Sequence, residues 1–193
     1  VKEMFFNEKD QLCMTLVQRP DTGEWAIPGG MRLSLTQDST TVLYKEFLEE
    51  CFGVGEVDEV ETGDADKDLP QLEEAVIKLI NETSPPKGGE EFIDLLRRKF
   101  GVQENGGKYT LGGSEGVEVY SGYVDDPRNT DHCWMETVAK LFYFSREELE
   151  KLGGNLPVRN NSAGEIPKNI ILTSHGISKL YASHSFLVKK ALH

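Results

Sequence analysis

The chain has 193 residues, 38% of them hydrophobic and 28% charged, and a formal net charge of -12. That length supports one domain, 1–193, with a core that needs no disulfide or metal staple. The acidic balance argues against general nucleic-acid binding, which rests on basic surface. Any anionic substrate would need a divalent cation or a few well-placed basic side chains between itself and the protein. Cys13, Cys51 and Cys133 stand far apart without zinc-type spacing and read as reduced thiols. No apolar run reaches membrane-spanning length, so direct membrane insertion of this segment is not expected. There is no initiator methionine, and a strand-like segment follows Val1 almost at once, which points to excision from a longer polypeptide.

In chain order, residues 12–17 are apolar and partly β-branched, which predicts a strand. Pro20-Asp21-Thr22-Gly23 is a turn, and Trp25-Ala26-Ile27 is an apolar stub stopped by Pro28-Gly29-Gly30. A helix is expected over 39–52, with Ser39, Thr40 or Thr41 as its cap and Gly53 just past its end. Residues 56–116 are charged and glycine-rich and read as an insertion. Within it Leu72, Ala75, Val76, Leu79 and Ile80 recur at helical spacing, Pro85-Pro86-Lys87-Gly88-Gly89 interrupts, 92–100 forms a second helix, and 101–116 is a loose loop. Strands are expected at 117–124, 133–144 and 169–172, with a polar turn at 125–131 and a capped helix start at Ser145-Arg146-Glu147-Glu148. Ile177, Leu180, Tyr181, His184, Leu187, Val188 and Ala191 form one stripe of a closing helix. The mixed order predicts an α/β or α+β sandwich.

Glu46, Glu49 and Glu50 occupy positions i, i+3 and i+4, one face of a helix. Carboxylates crowded this way repel one another, and a hard cation such as Mg²⁺ would relieve them. A glutamate-rich helix is also commonly a plain solvated face, and the helix alone does not decide between the two. Asp126-Pro127-Arg128 reads equally as a turn with a local ion pair or as a polar clamp, since a guanidinium donates two parallel hydrogen bonds to a phosphate. Tyr181 and His184, three apart, fit either core packing or one pocket wall.

The Pro-Gly-Gly turn followed by the three-glutamate helix resembles the Nudix box. Gly30 stands for its leading glycine and Lys45-Glu46-Phe47-Leu48-Glu49-Glu50 for its core. Thr36 or Gln37 stands where the box has its first glutamate, Lys45 replaces arginine, and one extra residue precedes both the Lys-Glu pair and Gly53. Lysine keeps the charge but loses the planar fork. Three further segments are similar to the mitochondrial-type ADP-ribose pyrophosphatases: Gly23–Met31, Tyr123–Asp131 with Trp134–Thr137, and Lys179–Ser185. The same segments resemble the homologous C-terminal, ADP-ribose-sensing module of melastatin-type transient receptor potential cation channels. The resemblance spans 11–54 and 117–192, not the insertion.

The resemblance implies a Nudix fold, a mixed sheet sandwiched between helices. It implies Mg²⁺, with Mn²⁺ as the alternative ion, on Glu46, Glu49, Glu50 and the Gly30 carbonyl. Lys45 would orient Glu46. Asp126 and Arg128 would hold the ribose and phosphate region of ADP-ribose, and Tyr181 and His184 would close over it. It also implies a segment upstream of the first strand at the adenosine end, missing here, and acidic residues where Asn160–Gly164 stand. The expected reaction is hydrolysis of ADP-ribose to AMP and ribose 5-phosphate, at a rate lowered by the departures from the box. The alternatives are a ligand-sensing module continuing covalently into a channel polypeptide, and a folded but inert relic. The expected location is intracellular: mitochondrial or cytosolic for a free-standing enzyme, the cytoplasmic face of a membrane for a channel module.

Overall fold

A computed structural model describes residues 2–7, 9–32, 38–54, 65–83, 88–106, 108–160, 164 and 166–193. Thr36, Gln37, Pro85-Pro86-Lys87, Asn161-Ser162-Ala163 and all of 56–64 lie outside the described residues. Strands β1 (Lys2–Phe6), β2 (Leu12–Gln18) and β3 (Trp25–Ala26) come first, then helices α1 (Ser39–Phe52), α2 (Ala65–Thr83) and α3 (Gly89–Phe100). Strands β4 (Val102–Asn105), β5 (Lys108–Leu111), β6 (Val117–Tyr123) and β7 (Glu136–Tyr143) follow, then α4 (Arg146–Glu150), β8 (Ile166–Ile171), α5 (Ser174–Ile177) and α6 (His184–Leu192).

The main sheet runs β3-β2-β1-β7-β6, with β8 on β2. Only the β1–β7 pairing within it is parallel, so the sheet is mixed. Side chains alternate between its faces, as the pleat requires. Cys13 and Phe142 point into one core with α1, α2, α3 and Leu149, whereas Met4, Met14, Leu16 and Ala139 point into a second with Ile177, Leu180, Leu187 and Val188. Helices therefore cover both faces. No helix among the described residues is long and apolar enough to cross a membrane.

Several boundaries depart from the sequence expectation. The α1 cap is Asp38, not Ser39, Thr40 or Thr41: its carboxylate accepts from the Thr40 and Thr41 amides at 2.6 and 3.2 Å. A charged acceptor at the positive end of a helix is the stronger cap. Gly53 ends α1 in the left-handed conformation. Residues 101–116 are not a loose loop but contain the β4–β5 hairpin, turning at Gly106 with φ +63°. A glycine there serves the turn rather than looseness.

Strand β7 begins at Glu136, not Cys133, because the Asn129 side chain ties the preceding loop down, accepting from Met135 N–H at 2.7 Å and donating to Val124 O at 2.9 Å. Strand β8 starts before Asn169, at Ile166. It pairs only with β2, so Pro167 is tolerated on an edge. The closing helix is two helices, broken where Ala182 takes φ +45°. The Ser145–Glu148 capping box forms as expected.

Helices α2 and α3 belong to the first core. Phe100 stacks on Phe142 at 4.1 Å and on Phe47 at 5.4 Å, joining α3 to the sheet and to α1. Buried Glu73 on α2 is a second junction. It accepts from Tyr44 Oη of α1 at 2.7 Å, from Tyr109 Oη of β5 at 2.8 Å, and from both Arg97 Nε (2.9 Å) and Arg97 Nη2 of α3. Removing one partner of a buried pair leaves the other uncompensated. Glu73→Leu is expected to lower unfolding free energy by about 3 kcal/mol in urea titrations. A loss under about 1 kcal/mol would show that the junction contributes little beyond packing.

Candidate active site

The site is assembled by docking the glycine turn onto α1. The Gly29 amide donates to Glu50 Oε2 at 2.8 Å. A Cβ on Gly30 would overlap the Glu46 carboxylate, so the turn approaches as closely as only glycine allows. Glu49 faces another way: its Oε1 lies 3.6 Å from Lys45 Nζ, which also lies 3.6 Å from Asp68 Oδ2 on α2. Among the described residues no group of three or more histidine, cysteine or carboxylate side chains is arranged to hold an ion. Each of the three glutamates is instead engaged with a protein group. Their donor chemistry, oxygen alone beside a close-packed backbone turn, is of the kind hard divalent cations take.

A cavity of about 570 Å³ opens beside this turn. Its wall brings together Gly29, Gly30 and Glu50 with Asp126, Arg128, Tyr181 and His184. Of the residues singled out in the sequence, Glu46 lies behind Gly30, while Lys45 and Glu49 sit on the flank of α1 that faces α2.

Asp126 and Arg128 form the local ion pair and line the cavity as well. Asp126 accepts from Arg128 Nε at 2.7 Å, Nη2 at 2.9 Å and the Arg128 amide at 2.9 Å. Chiefly through these bonds, the Asp126 carboxyl is held down at about 2. Arg128 Nη1 reaches Met31 Sδ at 3.9 Å.

Tyr181 lies outside α6, in the break, where its amide donates to Trp25 O at 2.9 Å. Its ring still meets that of His184, edge to face at 5.7 Å, so the two share a pocket without sharing a helix. His184 Nδ1 accepts from the Ile27 amide at 2.8 Å, which ties α6 to the stub before the glycine turn. An imidazole accepting at Nδ1 carries its proton at Nε2 and is neutral. Burial pushes its pKa down to about 4, against a smaller upward pull from Asp126.

Arg19, Met31, Trp134 and Glu136 also line the cavity and were assigned no role from the sequence. The Arg19 guanidinium stacks 4.4 Å over the Tyr181 ring and pairs with Asp21 at 2.7 Å. Its place immediately after β2, beside the turn that leads into the stub, was the available signal. Met31 and Trp134 stood inside the segments that carried the resemblance.

No family model matches the chain. A Caenorhabditis elegans protein named "Putative nudix hydrolase 6" is 32% identical over 182 residues, 94% of this chain and 49% of that protein. A Nematostella vectensis "Transient receptor potential cation channel subfamily M member-like 2" is 31% identical over 182 residues, 94% of this chain and 9% of that protein. The mitochondrial ADP-ribose pyrophosphatase of Rattus norvegicus is 30% identical over 179 residues, 92% of this chain and 38% of that protein. The chain is a homologue of proteins named as Nudix hydrolase, ADP-ribose pyrophosphatase and melastatin-type channel, the group it resembles in sequence. It spans half or less of the length of each of these relatives. Alignments over more than nine-tenths of the chain run through 56–116, so the similarity is wider than the two blocks read from motifs alone.

The His184 contact has a pH signature. Its folded value of about 4 lies below the ordinary 6.5, so the neutral ring's contribution is complete above pH 6.5 and is lost as pH falls from 6.5 through 4. His184→Asn can keep an acceptor for the Ile27 amide and does not titrate. Its melting temperature is expected to fall less steeply than the wild type's across that window. Parallel curves would show that His184 does not titrate on unfolding.

Proposed function

We propose that the chain is the core of a Nudix-fold pyrophosphohydrolase that cleaves ADP-ribose to AMP and ribose 5-phosphate with Mg²⁺. The observation that carries this reading is one cavity lined by Glu50 and the glycine turn together with Asp126, Arg128, Tyr181 and His184. The names of two relatives, a Nudix hydrolase and an ADP-ribose pyrophosphatase, support the same chemistry.

In this reading a water oxygen bonds to one phosphorus of the pyrophosphate, the bridging P–O bond breaks, and the water's proton passes to Glu49 or Glu46. The Gly29–Gly30 backbone and α1 position the reacting group. Arg128, with Nη1 not bound to Asp126, donates to phosphate, and Asp126 accepts from sugar hydroxyls. Tyr181 and His184 cover the ligand and exclude water. Lys45 offsets carboxylate charge. Glu46, Glu49 and Glu50 with the Gly30 carbonyl are the groups that would hold Mg²⁺ or Mn²⁺, which supplies charge neutralisation at the pyrophosphate and a more acidic water. Positioning and charge stabilisation supply most of the rate.

A second reading follows from the channel relative, which matches nearly the whole chain. Here the domain binds ADP-ribose as a sensor, continues into a larger polypeptide, and sits at the cytoplasmic face of a membrane. The hydrolase reading places it in mitochondria or cytosol. Neither involves nucleic acid.

The assay is AMP release from ADP-ribose with and without Mg²⁺, beside calorimetry with the same ligand. Glu49→Gln combined with Glu50→Gln is expected to lower the rate by roughly 10²-fold or more. An unchanged rate would remove the glutamate-helix mechanism. Binding without wild-type turnover would select the sensor, and neither binding nor turnover would leave a folded relic.

A further inference from the structure

We propose that Asp68, on α2, is a positioning residue for the candidate catalytic helix: it fixes the Lys45 ammonium and, through it, the Glu49 carboxylate. The inference rests on the hydrolase reading above.

Asp68 is 2% exposed, a carboxylate carried into the interior by a helix whose outer face is rich in charge. A buried carboxylate requires a compensating partner, and Lys45 Nζ stands 3.6 Å from Asp68 Oδ2. The same ammonium stands 3.6 Å from Glu49 Oε1, its i+4 neighbour on α1. A lysine is a point charge on a flexible stem. Paired along one helix surface it has little positional definition. A second carboxylate, from a different helix, turns the pair into a three-point arrangement whose geometry depends on how α2 packs.

The neighbouring residue repeats the pattern. Tyr44 donates to Glu73, a second buried carboxylate of α2, at 2.7 Å. Consecutive positions on α1 are thus tied to two carboxylates five residues apart on α2, one by charge and one by hydrogen bond. Consecutive helical residues point about 100° apart, so the two ties together oppose rotation of α1 about its axis. The rotational setting held in this way is the one that places Glu46 against Gly30 and Glu50 at the Gly29 amide. Asp68 is not among the residues that line the cavity; its effect passes through Lys45.

The test is a double-mutant cycle in the full chain, with kcat and KM for ADP-ribose measured for Asp68→Asn, Lys45→Met, the double variant and Asp68→Glu. Asp68→Asn is expected to lower kcat about tenfold with KM changed by less than about twofold, and to have no further effect once Lys45 is methionine. Asp68→Glu, which keeps the charge, is expected to recover most of kcat. Independent, multiplying losses in the cycle, or an unchanged kcat with only a lower melting temperature, would overturn the role.

If the wild-type chain releases no AMP, the hydrolase reading fails by itself. The cycle is then read on Mn²⁺ binding by electron paramagnetic resonance. Weaker binding in Asp68→Asn only while Lys45 is present supports the positioning role. Additive changes, or no Mn²⁺ binding in any form, overturn it.

Discussion

Three carboxylates within little more than one helical turn constrain what surrounds them. Like charges at these spacings destabilise an exposed helix by a few tenths of a kcal/mol per pair, and the repulsion grows as the surroundings lose water. The fold sets the glycine turn against two of them and a basic side chain against the third. The glycine turn offers an amide to Glu50 and its closest backbone approach to Glu46, and Lys45 faces Glu49. These partners act only if α1 cannot rotate or slide. Tyr44, Phe47, Leu48 and Cys51 are fully buried on its other faces. The sheet, the turn and the α2–α3 pair therefore all meet at α1; the cavity is lined by the sheet, the turn, α1 and α6, while α2 and α3 support α1 from behind.

The α2–α3 pair changes how the chain is divided. The charged, glycine-rich 56–116 reads as an insertion within the domain, and its Leu69, Leu72, Val76, Phe92, Leu96 and Phe100 share one cluster with Phe47, Phe52 and Phe142. Full burial of one large apolar side chain is worth about 1.5–3 kcal/mol. Six of them exceed the gain from any single polar contact in the molecule. Removing this region would open the core behind α1 rather than trim a surface loop.

What could be read in the sequence follows from how local each signal is. The extent of α1, the stub and turn before it, strand β2 and the Ser145 cap are set by residues within a few positions, and they were legible. The capping residue was missed because Ser39-Thr40-Thr41 offered three plausible hydroxyls beside Asp38. The break in the closing helix was missed because the apolar stripe continues through it; the left-handed Ala182 carries no glycine to mark it. Tyr181 and His184 meet in one pocket for a different reason from the one expected: backbone bonds from Trp25 and Ile27 hold them there, a tertiary matter. Asp68 and Glu73 were the least legible. Each falls four residues from a buried leucine of α2, Leu72 and Leu69, and a buried acid at such a position looks like surface until its basic or hydroxyl partner is placed opposite.

A chain of net charge -12 gains nothing from its overall field when it receives an anion, so attraction has to be local. The cavity wall carries both signs, Glu50, Asp126 and Glu136 with Arg19, Arg32 and Arg128. Arg128 is not a bare cation there. Its fork is already closed on Asp126, whose carboxyl stays ionised far below neutral pH. A free phosphate meets that pair as a repelling carboxylate beside a partly satisfied guanidinium. A ligand carrying hydroxyls next to its phosphates meets adjacent acceptors and donors and can use both. Neutral His184 adds no positive charge that would shift the balance towards plain anions. Under the proposed reading the Asp126–Arg128 pair would favour a sugar-linked pyrophosphate over inorganic phosphate or pyrophosphate, with Arg19 and Arg32 as the further cations in the wall.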